Sequence, residues 1–255
     1  MAAVNGAYAL ETRALNRSFG ALRVTQDVSF RLPYGARHAL IGPNGAGKTT
    51  LINLLTGMLA PSSGTVWLDG ADITRLPAAE RVRRGLARTF QINTLFPHLS
   101  PLEATALALC QRHGLSINPL RRLSRCGEVI AEARDLLAKF AFGDDAARPT
   151  RELPYGRQRL LEIVLALAAA PKVLLLDEPA AGVPSQESTE IFAALAALPQ
   201  DIAVLFIEHD MDVVFRFAER ITVMDAGQIL CEGSPDEIAV HPEVREVYLG
   251  EDDDV

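Results

Sequence analysis

Long apolar runs are missing from this chain. The two most apolar stretches, Leu160 to Ala170 and Ile202 to Ile207, are interrupted by Glu162 or far too short, whereas a membrane-spanning helix needs about 20 such residues. Met1 to Leu10 has no basic start followed by an apolar core, so no secretory signal is read there. These absences predict a soluble chain that stays where it is made. Cysteine is scarce: Cys110, Cys126 and Cys231 are widely spaced. That pattern fits neither a disulfide framework nor a zinc site, and points to a reducing compartment with the thiols as small buried groups. Excess positive charge is missing too. The net charge is −7, against the clustered Lys and Arg that general nucleic-acid binding requires. The balance is uneven, since Arg75 to Arg134 holds ten Arg, four Glu and no Lys. That stretch is either a solvated helical surface or a docking face. The acidic end, Glu251 to Asp254, reads as solvated.

What is present is strand, helix and turn in alternation. Tyr8 to Leu40 reads as short strands joined by turns, with Val28, Phe30 and Leu32 alternating against Ser29 and Arg31, the period of a half-buried strand. His38 to Ile41 is a brief apolar strand, Leu51 to Leu59 an apolar helix, and Thr65 to Leu68 a strand closed by Asp69-Gly70. From about Pro77 to Ala170 the composition turns helical, punctuated by Pro101, Pro119, Pro149 and Pro154. The helix over Leu160 to Ala170 is apolar on most faces and is expected to be buried. Strands then resume at Val173 to Leu176, Ile202 to Ile207 and Ile221 to Met224, separated by helices over Gln186 to Leu198 and Met211 to Glu219. Continuous apolar strands alternating with helices predict an α/β fold whose mainly parallel sheet is covered on both faces, interrupted by a helical insertion.

Two segments carry chemistry. Gly42, Pro43, Asn44, Gly45, Ala46, Gly47, Lys48 and Thr49, followed by Thr50, match the G-x-x-x-x-G-K-[ST] phosphate loop in full. Glycines let the backbone wrap a phosphate chain with several N–H groups pointing inward, and the helix that follows adds the positive end of its dipole. Lys48 is expected to reach the terminal phosphates and Thr49 to ligate Mg²⁺. The second segment, Val173 to Glu178, reads VLLLDE. Four apolar residues bury a strand and place Asp177 at its carboxyl end, where ligands bind in open α/β sheets. Asp177 is expected to hold Mg²⁺ through water, and Glu178 to act as general base on the attacking water.

With these motifs in order, the chain resembles the nucleotide-binding domains of ABC transporters over nearly its whole length. The resemblance implies a P-loop ATPase core with an N-terminal antiparallel β subdomain and an inserted α-helical subdomain. It divides one domain, 1–255, into a core at 8–76 and 171–233, a helical insertion at 77–170 and a tail at 234–255. It also implies roles for single residues. Gln91 in ARTFQ is similar to the glutamine that senses Mg²⁺ and contacts the membrane subunit. Leu153, Pro154, Tyr155, Gly156 and Arg157 stand where the family has its LSGGQ signature. His209 in IEHDM resembles the switch histidine that contacts the γ-phosphate, and Phe19 the aromatic that stacks on adenine. In the family, two such domains face head to tail, with each ATP between one chain's phosphate loop and the other's signature helix.

The chain departs from that pattern at two places. Pro154 replaces the signature serine and cannot donate a hydroxyl, although proline suits the first turn of a helix. Arg157, in the glutamine's place, offers a positive charge there. Pro184 stands where the family has an aspartate crossing the dimer interface. Both changes imply a heterodimer with a second, different ATPase subunit and one weaker composite site. The stretches Gly85 to Ala104, LPYGRQRLLEI, DEPAAGV and VREVYLGE are similar to ATP-binding subunits of branched-chain amino acid uptake systems. Such systems add membrane permeases and an extracytoplasmic solute-binding protein, and place this subunit on the cytoplasmic side of the membrane. Related systems carry urea, amides or aromatic acids. A lipopolysaccharide exporter of the same family and a scaffold that binds ATP without turnover are the alternatives. A DNA- or ribosome-directed ATPase would need longer inserts or a second fused domain, and no N-K-x-D motif for guanine is present.

Overall fold

The computed structural model describes residues 8–89, 95–115 and 127–249. β1 (Leu10–Phe19) turns through Gly20 and Ala21 into β2 (Leu22–Val28), and β3 (Arg31–Leu32) pairs back onto β1. The alternation at Val28, Phe30 and Leu32 therefore spans two strands. All three side chains are buried and both strands pair with β1, but the ladder is interrupted between them, where the Thr12 hydroxyl accepts the Phe30 N–H at 2.9 Å. The chain then leaves this sheet for β4 (Arg37–Ile41) and α1 (Lys48–Thr56), and returns as β5 (Ser63–Leu68) and β6 (Ala71–Asp72). The result is an antiparallel sheet in the order β2-β1-β5-β6, with β3 beside β1.

α2 (Ala78–Arg83), β7 (Leu86–Arg88), α3 (Pro101–Arg112), α4 (Gly127–Lys139) and α5 (Tyr155–Ala168) follow. β7 corrects the reading of 77–170 as helical throughout. Its three residues are too few to display a period, and they form a strand because β8 (Val173–Asp177) offers a parallel edge, Leu86 opposite Val173 and Arg88 opposite Leu175. The remaining elements are α6 (Ser185–Ala196), β9 (Ala203–Ile207), α7 (Met211–Phe217), β10 (Arg220–Asp225), β11 (Gln228–Gly233), α8 (Pro235–Ala239) and α9 (Pro242–Leu249). The second sheet runs β11-β10-β4-β9-β8-β7. Every pair in it is parallel except β10 with β11.

Every residue of β4, β8 and β9 is buried, as expected for strands covered on both faces. Alternate side chains feed two cores. Val173 and Leu175 pack with Leu51, Ile52 and Leu55 of α1 and with Leu10 and Val66 of the antiparallel sheet. Leu174 and Leu176 pack with Leu161 and Val164 of α5 and Phe192 of α6. The buried α5 carries Glu162, which pairs with Arg159 at 2.9 Å, one turn earlier on the same helix. Cys110 is buried and Cys231 half-buried; Cys126 lies outside the described residues. No helix among the described residues is long and apolar enough to cross a membrane.

Arg81 is 1% exposed. Its guanidinium donates to the carbonyls of Leu54 and Leu55 at 2.7 and 2.6 Å, and to those of Leu76 and Thr74 at 3.0 and 2.9 Å. A cation thus closes the C-terminal end of α1, where the dipole is negative. Arg81→Ala strands these carbonyls in a dry site and should destabilise the fold by about 3 kcal/mol or more, read from the urea midpoint. A loss below about 1 kcal/mol would mean that water satisfies the carbonyls instead.

Candidate active site

The loop between β4 and α1 is shaped by two glycines. Gly42 has φ 150°, and a Cβ there would lie 2.1 Å from the Met224 carbonyl oxygen. Gly47 has φ 98°, and a Cβ would meet the Val24 carbonyl oxygen of β2 at 2.6 Å. Only glycine fits either position. Gly47 is also the N-cap of α1, which has no side-chain cap and no acidic residue in its first turn. Its first N–H groups and positive dipole end are therefore open to an anion. Lys48 is buried across the loop, its Nζ donating to the carbonyls of Gly42 at 2.5 Å and Pro43 at 2.9 Å. Ala46 is buried, Asn44, Gly45 and Thr49 are exposed, and Thr50 is intermediate.

Strand register brings the second segment to this loop. Leu40 of β4 lies opposite Ile207 of β9, and Ile207 lies opposite Asp177 of β8. Three adjacent strands thus end level, and the Gly42 loop, Asp177-Glu178 and Glu208-His209 emerge at one carboxyl edge. Asp177 is 4% exposed and accepts from Arg88 Nη2 at 2.8 Å. Arg88 Nη1 donates to Asn53 of α1 at 2.6 Å, so one guanidinium joins β7, β8 and the phosphate-loop helix. Glu178 adopts a left-handed φ of 49°, uncommon outside glycine. Its N–H donates to the Ile207 carbonyl at 3.1 Å. Its Oε1 lies 2.9 Å from His209 Nε2.

Glu208 was not singled out from the sequence. It is buried, accepts the Ala180 N–H at 3.0 Å, and shares a cavity of about 250 Å³ with Glu178 and His209. Burial pushes its carboxyl up to about 7, helped by Glu178 and Asp210 and opposed by the backbone amides of Ala180 and His209. The available signal was an acidic residue directly after the apolar run Ala203 to Ile207.

The other expected residues sit apart from this edge or lie outside the described residues. Phe19 ends β1, half exposed, with the Arg17 guanidinium 4.5 Å over its ring. Gln91 lies outside the described residues. Leu153 is buried, and Pro154 is the N-cap of α5 rather than a first-turn residue, without a capping side chain. Tyr155 is exposed at the helix start. The Gly156 N–H donates to Glu187 of α6 at 3.2 Å, and a Cβ on Gly156 would meet that carboxylate at 2.1 Å. The charge of Arg157 is held within the chain rather than offered outward: it donates to Asp145 at 3.2 Å and to the Ala141 carbonyl at 2.7 Å. Pro184 is likewise an N-cap with no side-chain hydrogen bond. Beside Arg88, a groove of about 550 Å³ opens between β7, α3 and α5, with Val82, Phe96 and Leu165 on its apolar wall and Arg83 and Arg112 also lining it.

This arrangement has close parallels. The family model described as ABC transporter matches residues 25–181, and that described as branched-chain amino acid ATP-binding cassette transporter matches residues 228–254. The chain is 37% identical over 251 residues to the high-affinity branched-chain amino acid transport ATP-binding protein BraF of Pseudomonas aeruginosa, covering 95% of this chain and 98% of the relative. It is 35% identical to the lipopolysaccharide export system ATP-binding protein LptB of Acidithiobacillus ferridurans, covering 95% and 97%. Among solved structures, the ADP conformation of MJ1267, an ATP-binding cassette of an ABC transporter, superposes with TM-score 0.82 at 32% identity, covering 95% and 98%.

The Arg88–Asp177 pair is largely buried, so removing Arg88 takes the cationic partner from a buried carboxylate. Arg88→Met should cost about 3 kcal/mol or more, and adding Asp177→Asn should restore much of that loss. Strict additivity of the two substitutions in a denaturation cycle would rule the coupling out.

Proposed function

The chain belongs to the family of ABC transporter ATP-binding proteins, and on that premise we propose that it is the ATP-hydrolysing subunit of a membrane importer for branched-chain or related amino acids. The observation that carries the reading is the level ending of β4, β8 and β9, which sets an anion-binding loop beside Asp177 and the Glu178–His209 pair. The amino-acid class rests on the similarity of residues 228–254 to the branched-chain model and on relatives such as BraF.

In this reading the phosphates of ATP take the N–H groups of the Gly42 to Thr50 loop. Lys48 exchanges the Gly42 and Pro43 carbonyls for phosphate oxygens, and Phe19 stacks on the adenine, an interaction worth about 1 to 3 kcal/mol in base-stacking sites. The donor set suits Mg²⁺: the exposed Thr49 hydroxyl and the Asp177 carboxylate are hard oxygens. The described residues contain no cluster of three or more acidic, His or Cys ligands, which matches an ion completed by substrate phosphates. Gln91 joins them by resemblance alone. Mg²⁺ bound there neutralises charge on the phosphates. Glu178 accepts a proton from the attacking water as its oxygen bonds to the γ-phosphorus and the bond to ADP breaks. His209 holds the carboxylate of Glu178 in place and faces the γ-phosphate.

The apolar groove beside Arg88 suits a helix of a permease subunit lying on the cytoplasmic face of the membrane, with Arg83 and Arg112 on its lining. A second, different ATPase subunit completes the dimer, and an extracytoplasmic solute-binding protein the transport system. Pro154 and Pro184 present no side-chain donor to the partner's ATP. A hydrogen bond to a charged group is worth about 1.5 to 3 kcal/mol, so the composite site that uses Pro154 is the weaker one. The similarity to LptB favours one second reading, a lipopolysaccharide exporter. The membrane protein that co-purifies decides between the two.

Co-expression with the products of neighbouring genes, followed by ATPase assay of wild type and Glu178→Gln, tests the reading. Activity should appear in the assembly and fall by about a hundredfold or more in the variant. Unchanged activity would remove Glu178 as base, and full activity in the isolated chain would remove the composite site. Within the assembly, the equivalent substitution in the second ATPase should cost less than Glu178→Gln. Equal losses would sink the unequal-site model.

A further inference from the structure

The 2.9 Å contact between Glu178 and His209 joins side chains from two separate loops. Glu178 opens the loop after β8 in a left-handed conformation, which persists only where surrounding contacts hold it. His209 belongs to the loop after β9. Glu208 reaches both. Its Oε1 accepts the N–H of Ala180, two residues beyond Glu178, at 3.0 Å, while its own backbone runs directly into His209. The side chain is buried, where an unmet hydrogen-bonding requirement is costly.

We propose that Glu208 is a positioning residue for ATP hydrolysis: its buried carboxylate ties the Glu178 loop to the His209 loop and holds the base and the histidine in register. The proposal rests on the reading of Glu178 as general base. Glu208 touches neither substrate nor water in this scheme and acts through the Ala180 amide and its own place in the chain next to His209.

The electrostatics give the clamp a direction. Glu178 faces Glu208 from the β8 loop, His209 and Asp210 from its own loop, and α6 contributes only the uncharged Ser188. Burial and the two acidic neighbours push the carboxyl from 4.5 up to about 7. Above that pH the ionised carboxylate accepts the Ala180 N–H in a charge-assisted bond. Below it the carboxyl is neutral and that bond weakens, so the clamp loosens. Stability runs the other way. Between 4.5 and about 7 the native state binds more protons at this site than the unfolded chain, so the site's contribution to stability falls as pH rises through that window.

The test compares wild type, Glu208→Gln, Glu208→Ala and Glu178→Gln in the transporter assembly between about pH 6 and about pH 9. Glu208→Ala should lower kcat by about ten- to hundredfold, as small misplacements of reacting groups do. The KM for ATP should move by less than about twofold, since substrate binding is untouched. Glu208→Gln keeps an oxygen for the Ala180 N–H. It carries no charge, so its kcat should stay above that of Glu208→Ala and sit near the wild-type level at about pH 6. It should lack the rise expected for wild type through about pH 7, and its Tm should lack the matching decline. Wild-type kcat and pH profile in Glu208→Ala, beside an inactive Glu178→Gln, would overturn the proposal and leave the ATPase reading intact. An active Glu178→Gln would overturn the ATPase assignment, and with it any catalytic role for Glu208. The clamp itself is then read without turnover, from the His209 ring Cε1–H resonance of the isolated chain. Displacement of that resonance in Glu208→Ala, with recovery in Glu208→Gln, supports the clamp, and an unmoved resonance overturns it. Should Glu208→Ala fail to fold, the isosteric Gln variant decides by pH: a wild-type rise of kcat, or a wild-type shift of the His209 resonance, through about pH 7 overturns the proposal.

Discussion

The candidate active site depends on the hydrogen-bond register of three parallel strands. Leu40, Ile207 and Asp177 stand level across β4, β9 and β8. A slip of one residue in either pairing would turn every side chain of the slipped strand to the opposite core. Leu174 and Leu176 would then trade cores with Val173 and Leu175. Burial on both faces makes that exchange expensive, so the cores lock the register. The register in turn places the phosphate loop beside the two acidic loops.

Around this edge the chain is tied together by buried charge. Arg88 joins α1 to the end of β8 through Asn53 and Asp177. Arg81 grips the far end of α1. Arg37 does similar work elsewhere, donating to the carbonyls of Leu198 and Ile202 at 2.5 and 2.7 Å. The planar, multiply donating guanidinium suits these sites because it satisfies several carbonyls from one side chain. Arg88 and Arg81 both hold the C-terminal half of the phosphate-loop helix, at Asn53 and at Leu54 and Leu55. The loop at its start remains open because Gly47 has no side chain to fill it.

The start of α5 is organised differently. Its Gly156 N–H is already satisfied by Glu187, and Arg157 is held by Asp145 and Ala141. The chain's own carboxylate thus stands against the first turn of this helix, in the place where the family resemblance puts a partner's phosphate. The two helix starts differ for a physical reason: α1 has no side-chain cap and no acidic residue in its first turn, whereas in α5 the Gly156 N–H already has a carboxylate partner.

The phosphate loop and the VLLLDE strand were legible because each packs its chemistry into consecutive residues: glycine spacing, a lysine, an apolar run ending in two carboxylates. The apolar strands and their mainly parallel pairing followed from composition and alternation. β7 was not legible, since three residues have no period and become a strand only beside β8. Nor was the fate of Arg157, whose charge reads as outward-facing until Asp145, twelve residues earlier, is placed beside it. Glu208 was the largest gap. In the sequence it is one acidic residue after a strand, and its burial, its hold on Ala180 and its raised pKa arise only when β8 and β9 align. By itself, then, the sequence determined which groups are available for phosphate, metal and proton chemistry, because those are properties of residue types at short spacing. Tertiary structure alone decided which of them meet, because that depends on register between strands distant in the chain and on which carboxylates folding removes from water.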